Sequence, residues 1–265
     1  QEEGESPNSG KSRLTSSNAF SNSSSRPPLR VLTYNLYLRP PLINSNGNDW
    51  KDERLDEFIL SVLPHYDVIA LQEVFALGSS RQSRLILAAK HYGYSHIVKS
   101  VAPPFVTSLK FIDAGLLILS RFPIVDAAGH IFKTGHQIDH YAAKQVIYAR
   151  IAVTKSTHVN VFTTHTQASY YENTADMNAQ NDSARLTQVQ ELCHFVKQKV
   201  FNVPDNAENP VLILGDLNLD ARASPADGLA KGTEYHWLED LFDKEFSSRP
   251  TQVFERNKAN TASSL

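Results

Sequence analysis

Four short apolar runs in this chain each stop on a polar residue of a particular kind. Arg30-Val31-Leu32-Thr33-Tyr34 leads to Asn35, and Val68-Ile69-Ala70-Leu71 leads to Gln72-Glu73. Val159-Asn160-Val161-Phe162 leads to Thr164-His165, and Pro210-Val211-Leu212-Ile213-Leu214 to Gly215-Asp216-Leu217-Asn218. Short apolar runs bounded in this way read as buried strands. Polar side chains at the ends of buried strands gather along one rim of a sheet, where a cleft can form. A hard cation such as magnesium needs oxygen ligands and keeps several waters, so one or two carboxylates are sufficient. Phosphate needs neutral or cationic donors, which Asn35, Asn218 and His165 can supply. Taken singly, Asn35 is a turn or capping residue, Glu73 the start of a solvent loop, and His165 a hydrogen-bonded strand end. Gly215-Asp216-Leu217-Asn218 taken alone is a tight turn. Their recurrence at the ends of successive strands favours a site.

Between these strands the spacing becomes helical. Leu55, Phe58, Ile59, Val62 and Leu63 share a face that Pro64 ends, and Leu85, Ile86, Ala89 and Tyr92 make a second face before Gly93. A long helix is predicted from Ser183, with Leu186, Val189, Cys193, Val196 and Val200 at spacings of three and four, and a short one around Trp237, Leu238, Leu241 and Phe242. Further strands are predicted at Gly115–Leu119 and Gln145–Ile151. Strands mixed with helices and few hairpin signals predict two packed sheets flanked by helices. A single nucleotide-binding sheet is the competitor, but no Gly-rich phosphate loop follows Val31–Tyr34. Residues 1–28, rich in Ser, Asn and Gly, read as a disordered leader, and one catalytic domain is expected over 29–265.

The formal net charge of −2 is nearly neutral, which disfavours a protein that holds nucleic acid mainly through phosphates. No apolar run is long enough to span a bilayer. The lone Cys193 excludes an intrachain disulfide and reads as a small buried apolar residue. Asn22-Ser-Ser and Asn181-Asp-Ser fit the glycosylation pattern, a short one that chance supplies often.

The chain resembles the DNase I-like superfamily of endonucleases, exonucleases and phosphatases through Thr33-Tyr34-Asn35, Leu71-Gln72-Glu73-Val74, Thr164-His165 and Gly215-Asp216-Leu217-Asn218. Within it, further stretches are similar to the neutral sphingomyelinase branch. These are Asp113-Ala-Gly-Leu-Leu-Ile-Leu-Ser-Arg-Phe-Pro-Ile124, Thr164-His165-Thr166-Gln167-Ala168, the pair Arg185 and Gln188, and Asp139-x-x-x-x-Lys144. The likeness runs over roughly residues 29–225. It implies a four-layer α/β sandwich and a Mg²⁺-dependent phosphodiesterase cleaving sphingomyelin to ceramide and phosphocholine. Carried over by position, it implies that Glu73 binds Mg²⁺ with Asn35 beside it at the phosphate, and that His165 donates to a phosphoryl oxygen. Asp216 and Asn218 would orient water and the transferring phosphate. Asp139 and Lys144 would form a charge pair tuning access or lipid response; a strand-edge gatekeeper is the alternative for Lys144. Peripheral membrane contact is implied, with no obligate protein partner, and a membrane-associated or secreted location is favoured over a cytoplasmic one. The apolar, proline-broken stretch Val101–Val106 with Leu109 and Phe111 could touch lipid or cover the core.

The sequence departs from the branch in three places. Lys144-Gln145 stands where Lys-Gly is usual, and Ala114-Gly115 where Gly-Gly is usual. The family's last strand carries an Asp-His pair whose histidine activates water, whereas after Asp220 the only histidine here is His236, in an unrelated context. The expectation is therefore a sandwich lacking its closing strand and turning over slowly, since loss of a general base costs roughly 10²–10⁴ in rate. Two alternatives stay open: a relative acting on nucleic acid or inositol phosphates, and a catalytically incomplete binding protein or fragment.

Overall fold

The computed structural model describes residues 27–41, 49–101, 113–136, 143–169, 174–219 and 233–247. Its frame is two four-stranded mixed sheets. The first has the order β1-β2-β4-β3, from β1 (Val31–Leu38), β2 (Val68–Val74), β3 (His96–Lys99) and β4 (Leu117–Ser120). The second has the order β5-β6-β7-β8, from β5 (Ile124–Ile131), β6 (Gln145–Ala152), β7 (His158–His165) and β8 (Val211–Asp216). Only β1–β2 and β7–β8 pair in parallel, and each pair is joined through helix, as a parallel connection requires. Between β1 and β2 runs α1 (Lys51–Glu57), which continues through a wider turn (Phe58–Val62) and a tight one (Leu63–His65). Between β7 and β8 runs α3 (Ala175–Val196), prolonged by a wider turn (Lys197–Phe201). The remaining helices are α2 (Arg81–His91) and α4 (Thr233–Phe246).

Alternation along the strands sorts the apolar residues into layers. Ile69, Leu71 and Leu119 face Leu55, Phe58 and Leu85 of the first helix layer. Val68, Leu116 and Ile118 face Ile147, Ala149 and Val161 across the inter-sheet gap. Val146, Tyr148 and Phe162 face Leu192, Phe195 and Val196 of α3. The order is therefore helix, sheet, sheet, helix, the expected four layers, with α4 in the outer layer beside α3, its Leu238, Leu241 and Phe242 packed with Val189 and Cys193 of α3 and Ile213 of β8.

The structure corrects the sequence in several places. Helix α3 begins at Ala175 and not at Ser183, because the Thr174 hydroxyl accepts from Met177 N–H at 3.3 Å and caps it there. Its buried face is polar at Asn181, Arg185 and Gln188, so apolar periodicity was silent over the first turns. Asn181 is fully buried in this helix, so its glycosylation pattern is not an acceptor in the folded protein. Lys144 is no edge gatekeeper: it is buried and precedes β6, an interior strand. Cys193 is buried as expected, and burial pushes its thiol up to about 12. Residues 1–26 of the leader, residues 102–112 of the apolar stretch, Asp139 and residues 248–265 lie outside the described residues, and the expectations for them, the lack of a closing strand included, lie outside with them.

Candidate active site

Parallel β1 and β2 run in one direction and bring Asn35 and Glu73 to the same end of the first sheet. Parallel β7 and β8 do the same for His165 and Asp216 in the second, where the two residues pair in register. The two ends face each other. Asn35 Nδ2 donates to Glu73 Oε1 at 3.0 Å and to Asp216 Oδ2 at 3.0 Å, so one amide joins carboxylates from opposite sheets. Asn35 Oδ1 accepts from Tyr37 N–H at 2.9 Å, which fixes the orientation of that amide.

Glu73 reaches this position through an irregularity in the backbone. Period-two alternation would send it to the helix layer with Ile69 and Leu71. Its φ of +57° interrupts the alternation, so Val74 returns to the helix-side core while the Glu73 carboxylate turns to Asn35. A left-handed non-glycine residue costs roughly 1–3 kcal/mol and concentrates at functional sites. Neighbouring β1 responds with a bulge between Asn35 and Leu38, where Tyr37 also has positive φ, +55°. Asn35 therefore sits before the bulge, and β1 runs on past it to Leu38. Gly115 packs against this turn: a Cβ there would lie 3.0 Å from Val74 N and 3.2 Å from Glu73 Cα.

On the facing side, Gly215 at φ +138° lets β8 pass so close to β7 that a Cβ would fall 2.1 Å from Thr164 O. Asn218, at φ +52°, closes the following turn: its N–H donates to Asp216 Oδ1 and its side-chain amide to Thr166 O, each at 3.0 Å. Thr166 O also accepts from Lys144 Nζ at 2.8 Å, which seats a buried ammonium behind the carboxylates. The turn after His165 is clamped from α3. Arg185 donates to Gln167 O at 3.0 Å and Ser169 Oγ at 2.9 Å, and Gln188 Oε1 accepts from Gln167 N–H at 2.8 Å. This accounts for the pair Arg185 and Gln188 picked out in the sequence.

The electrostatics follow from burial. Burial raises the Glu73 carboxyl above its ordinary range, against the pull of Asn35, Lys144 and Arg39 and with a contribution from the Asp216 charge. Burial alone would raise Asp216 too, but His165, Asn35, the Asn218 N–H and Lys144 together hold it below. Burial and the Lys144 charge bring His165 down to about 3, so its imidazole is neutral near pH 7. Its Nε2 lies 4.0 Å from Asp216 Oδ2, beyond hydrogen-bonding range.

Glu73 Oε2 is buried with no hydrogen-bond partner among the described residues. A buried carboxylate oxygen without a donor costs several kcal/mol unless a cation or proton meets it. The carboxylates of Glu73 and Asp216 give an all-oxygen donor set, which suits Mg²⁺, whereas Asn35, expected among the ligands, turns its Nδ2 to them and its Oδ1 to Tyr37 N–H, and so positions the carboxylates instead of offering an oxygen. Among the described residues no three His, Cys, Asp or Glu side chains cluster as an all-protein metal cage, a geometry Mg²⁺ does not need. The sequence left the bulge, the left-handed Glu73 and the depth of Lys144 unseen. His236 stands apart: it is exposed on α4, its Nδ1 3.2 Å from Glu239 Oε2.

The profile of the Endonuclease/Exonuclease/phosphatase family matches residues 32–261. The chain belongs to this family. A sphingomyelinase of Dictyostelium discoideum is 25% identical, over 84% of this chain and 71% of that protein. The sphingomyelinase C of Bacillus cereus is 28% identical over 78% of this chain, which spans 61% of that relative's length. Against a Staphylococcus aureus phospholipase C, 28% identical, this chain spans 57% of that protein's length. Among solved structures, sphingomyelinase C from Streptomyces griseocarneus superposes with a TM-score of 0.66 and 26% identity, covering 82% of this chain and 70% of the other. A beta toxin variant from Staphylococcus aureus with bound magnesium ions superposes with a TM-score of 0.64 and 24% identity, over 81% of this chain and 70% of that one. The four-layer sandwich of this family member is thus the DNase I-like fold.

Proposed function

We propose that this chain is a Mg²⁺-dependent phosphodiesterase acting on a choline phospholipid, with sphingomyelin as the favoured substrate. The observation that carries the proposal is the juxtaposition, through Asn35, of Glu73 and Asp216 from opposite sheets, with Glu73 Oε2 lacking a partner among the described residues. Glu73 would hold the metal through its unpartnered Oε2, with Asn35 fixing the carboxylate from beside it, and the ion would neutralise phosphate charge and stabilise the leaving alkoxide. His165, neutral near pH 7, donates one ring N–H to a phosphoryl oxygen without adding a charge to be desolvated. Asp216 stays ionised and, with Asn218, orients the attacking water toward phosphorus. Water attacks phosphorus as the P–O bond to the lipid alcohol breaks; the lipid leaves as its alcohol, taking up the proton that the water gives up, and phosphocholine is the other product. The names of the relatives support the lipid substrate, and the near-neutral charge of −2 weighs against duplex nucleic acid.

Peripheral membrane contact belongs to the same proposal. Tyr37, within the bulge of β1, and Trp50, Leu77 and Val101, on the connections that follow β1, β2 and β3, are exposed towards the end of the first sheet that carries Glu73. The test is phosphocholine release from sphingomyelin vesicles with Mg²⁺ and with chelator, run beside duplex DNA and inositol phosphates. Mg²⁺-dependent release, lost in Glu73→Gln, is expected. Cleavage of DNA or an inositol phosphate with no release from vesicles would overturn the lipid assignment.

A further inference from the structure

The inter-sheet layer is apolar through its middle and polar towards the rim that carries the site, where the buried Gln145 of β6 also joins the Val101 backbone beyond β3. Val68, Leu116, Ile118, Ile147, Ala149 and Val161 fill the middle with hydrocarbon. One step nearer the rim stands Gln72, only 1% exposed. Its Nε2 donates across the gap to Thr163 Oγ1 of β7 at 3.0 Å, and to Thr33 Oγ1 of β1 at 3.2 Å. Each member of this trio precedes a site residue on its own strand: Thr33 comes two before Asn35, Gln72 one before Glu73, Thr163 two before His165.

A buried amide is an expensive choice at such a place. Apolar packing gains free energy in proportion to area and is non-directional, so it tolerates small slides of one sheet over the other. A hydrogen bond has a narrow range of distance and angle and permits no such slide. Apolar residues of similar volume at all the bonded positions would be neutral or better for stability, because every member's desolvation would be avoided. The polar trio therefore contributes registration more than stability.

We propose that Gln72 is a positioning residue, whose bond to Thr163 holds the Glu73 half of the site in register with the His165–Asp216 half. Its metal readout rests on the functional proposal above. Thr163→Val is the cleanest probe, nearly isosteric, in the opposite sheet from Glu73 and without contact to substrate. Mg²⁺ affinity is measured by calorimetry for wild type, Thr163→Val, Gln72→Met and the double variant, with thermal midpoints alongside. Each single variant is expected to weaken Mg²⁺ binding by about 5–10-fold and to lower the midpoint by stranding a buried partner, while the double variant recovers part of the midpoint without recovering Mg²⁺ affinity. The double variant should bind Mg²⁺ no worse than the poorer single, since both changes remove the same cross-sheet bond, Gln72→Met losing the Thr33 bond as well. Unchanged Mg²⁺ affinity in both singles, additive losses, or losses that merely track a falling midpoint would each overturn the proposal. A second readout needs no metal: the His165 ring resonances, followed by NMR in Gln72→Met. They should shift, since the substituted residue acts on β7 through Thr163; resonances identical to wild type would overturn the proposal. Absence of Mg²⁺ binding in wild type together with a His165 shift in Gln72→Met would sink the metal assignment and leave the registration role standing.

Discussion

At the scale of single residues, the site sets buried groups of opposite tendency side by side. Glu73 is pushed towards protonation and Asp216 away from it, so a cation is needed chiefly at Glu73. Glu73→Gln keeps the shape and the Asn35 contact but removes the charge. Mg²⁺ affinity by calorimetry should fall at least tenfold, about 1.4 kcal/mol; equal affinities would remove Glu73 from the metal site. His165 gives a pH prediction. Its folded value of about 3 lies below the ordinary 6.5, so between these limits the unfolded chain binds a proton that the folded chain does not. The neutral imidazole's stabilisation is complete above pH 6.5 and is lost as pH falls towards about 3. Glu73 has the opposite sign: its contribution is present below the ordinary 4.5 and is lost as pH rises towards its raised value. Urea midpoints of wild type and His165→Gln across this acid range isolate the histidine. Wild type should lose more stability on acidification; parallel curves would show that His165 is not held neutral. The strand ends that carry these residues were legible in the sequence because a buried strand ending on Asn, Glu, His or Asp is an unusual pattern. Lys144 was legible only as a motif position, since nothing in the residues around it says that a lysine there is buried beside three titrating groups.

At the scale of elements, what could be read was what obeys a period. Strands β2, β4, β6, β7 and β8 are apolar runs, and α1 and α2 show their buried stripes, so their places followed from spacing. Strands β3 and β5 did not announce themselves, because both lie at sheet edges where half-exposed residues break the alternation. The features that aim the site residues are breaks in periodicity: the left-handed Glu73, the bulge at Asn35–Leu38 and the close passage at Gly215. No spacing rule marks such a break, because tertiary packing chooses it. Gly215 offers the sharpest test. A methyl group there would meet Thr164 O at 2.1 Å, and backbone on both strands leaves no flexible side chain to give way. Gly215→Ala should therefore destabilise by about 3 kcal/mol or more, the range of strained-backbone substitutions. A chemical-denaturation midpoint within error of wild type would mean that β7 and β8 do not approach as described. Gly129, where a Cβ would first meet the Gln145 side chain at 3.4 Å, serves as the control, since Gly129→Ala should be nearly neutral.

At the scale of the whole molecule, the question is which surface meets the substrate. Trp50, just before α1, and Leu77, three residues past β2, are 60% and 50% accessible on connections that leave the strand ends bearing Asn35 and Glu73, and the proposed membrane contact falls on them. The opposite outer layer carries α4, whose His236 pairs with Glu239 in solvent, so His236→Ala should leave phosphocholine release unchanged. Loss of activity in that variant would relocate the proton-transfer chemistry to α4. A net charge of −2 gives little long-range attraction to either a polyanion or an anionic bilayer, so adhesion has to come from apolar contact at short range. Full burial of one large apolar side chain contributes about 1.5–3 kcal/mol, and half-burial of Trp50 or Leu77 about half of that. Each of Trp50→Ala and Leu77→Ala should then reduce co-sedimentation with sphingomyelin vesicles by roughly 5–10-fold, and the pair by the product, because independent contacts add in free energy. Hydrolysis of a water-soluble phosphodiester should be untouched, since neither side chain carries the chemistry. Raising salt should change vesicle binding little, in contrast to the steep salt dependence that phosphate-backbone binding would give. Vesicle binding that both substitutions leave intact, or that collapses with modest salt, would show that the rim around β1 and β2 is not the face turned to the lipid.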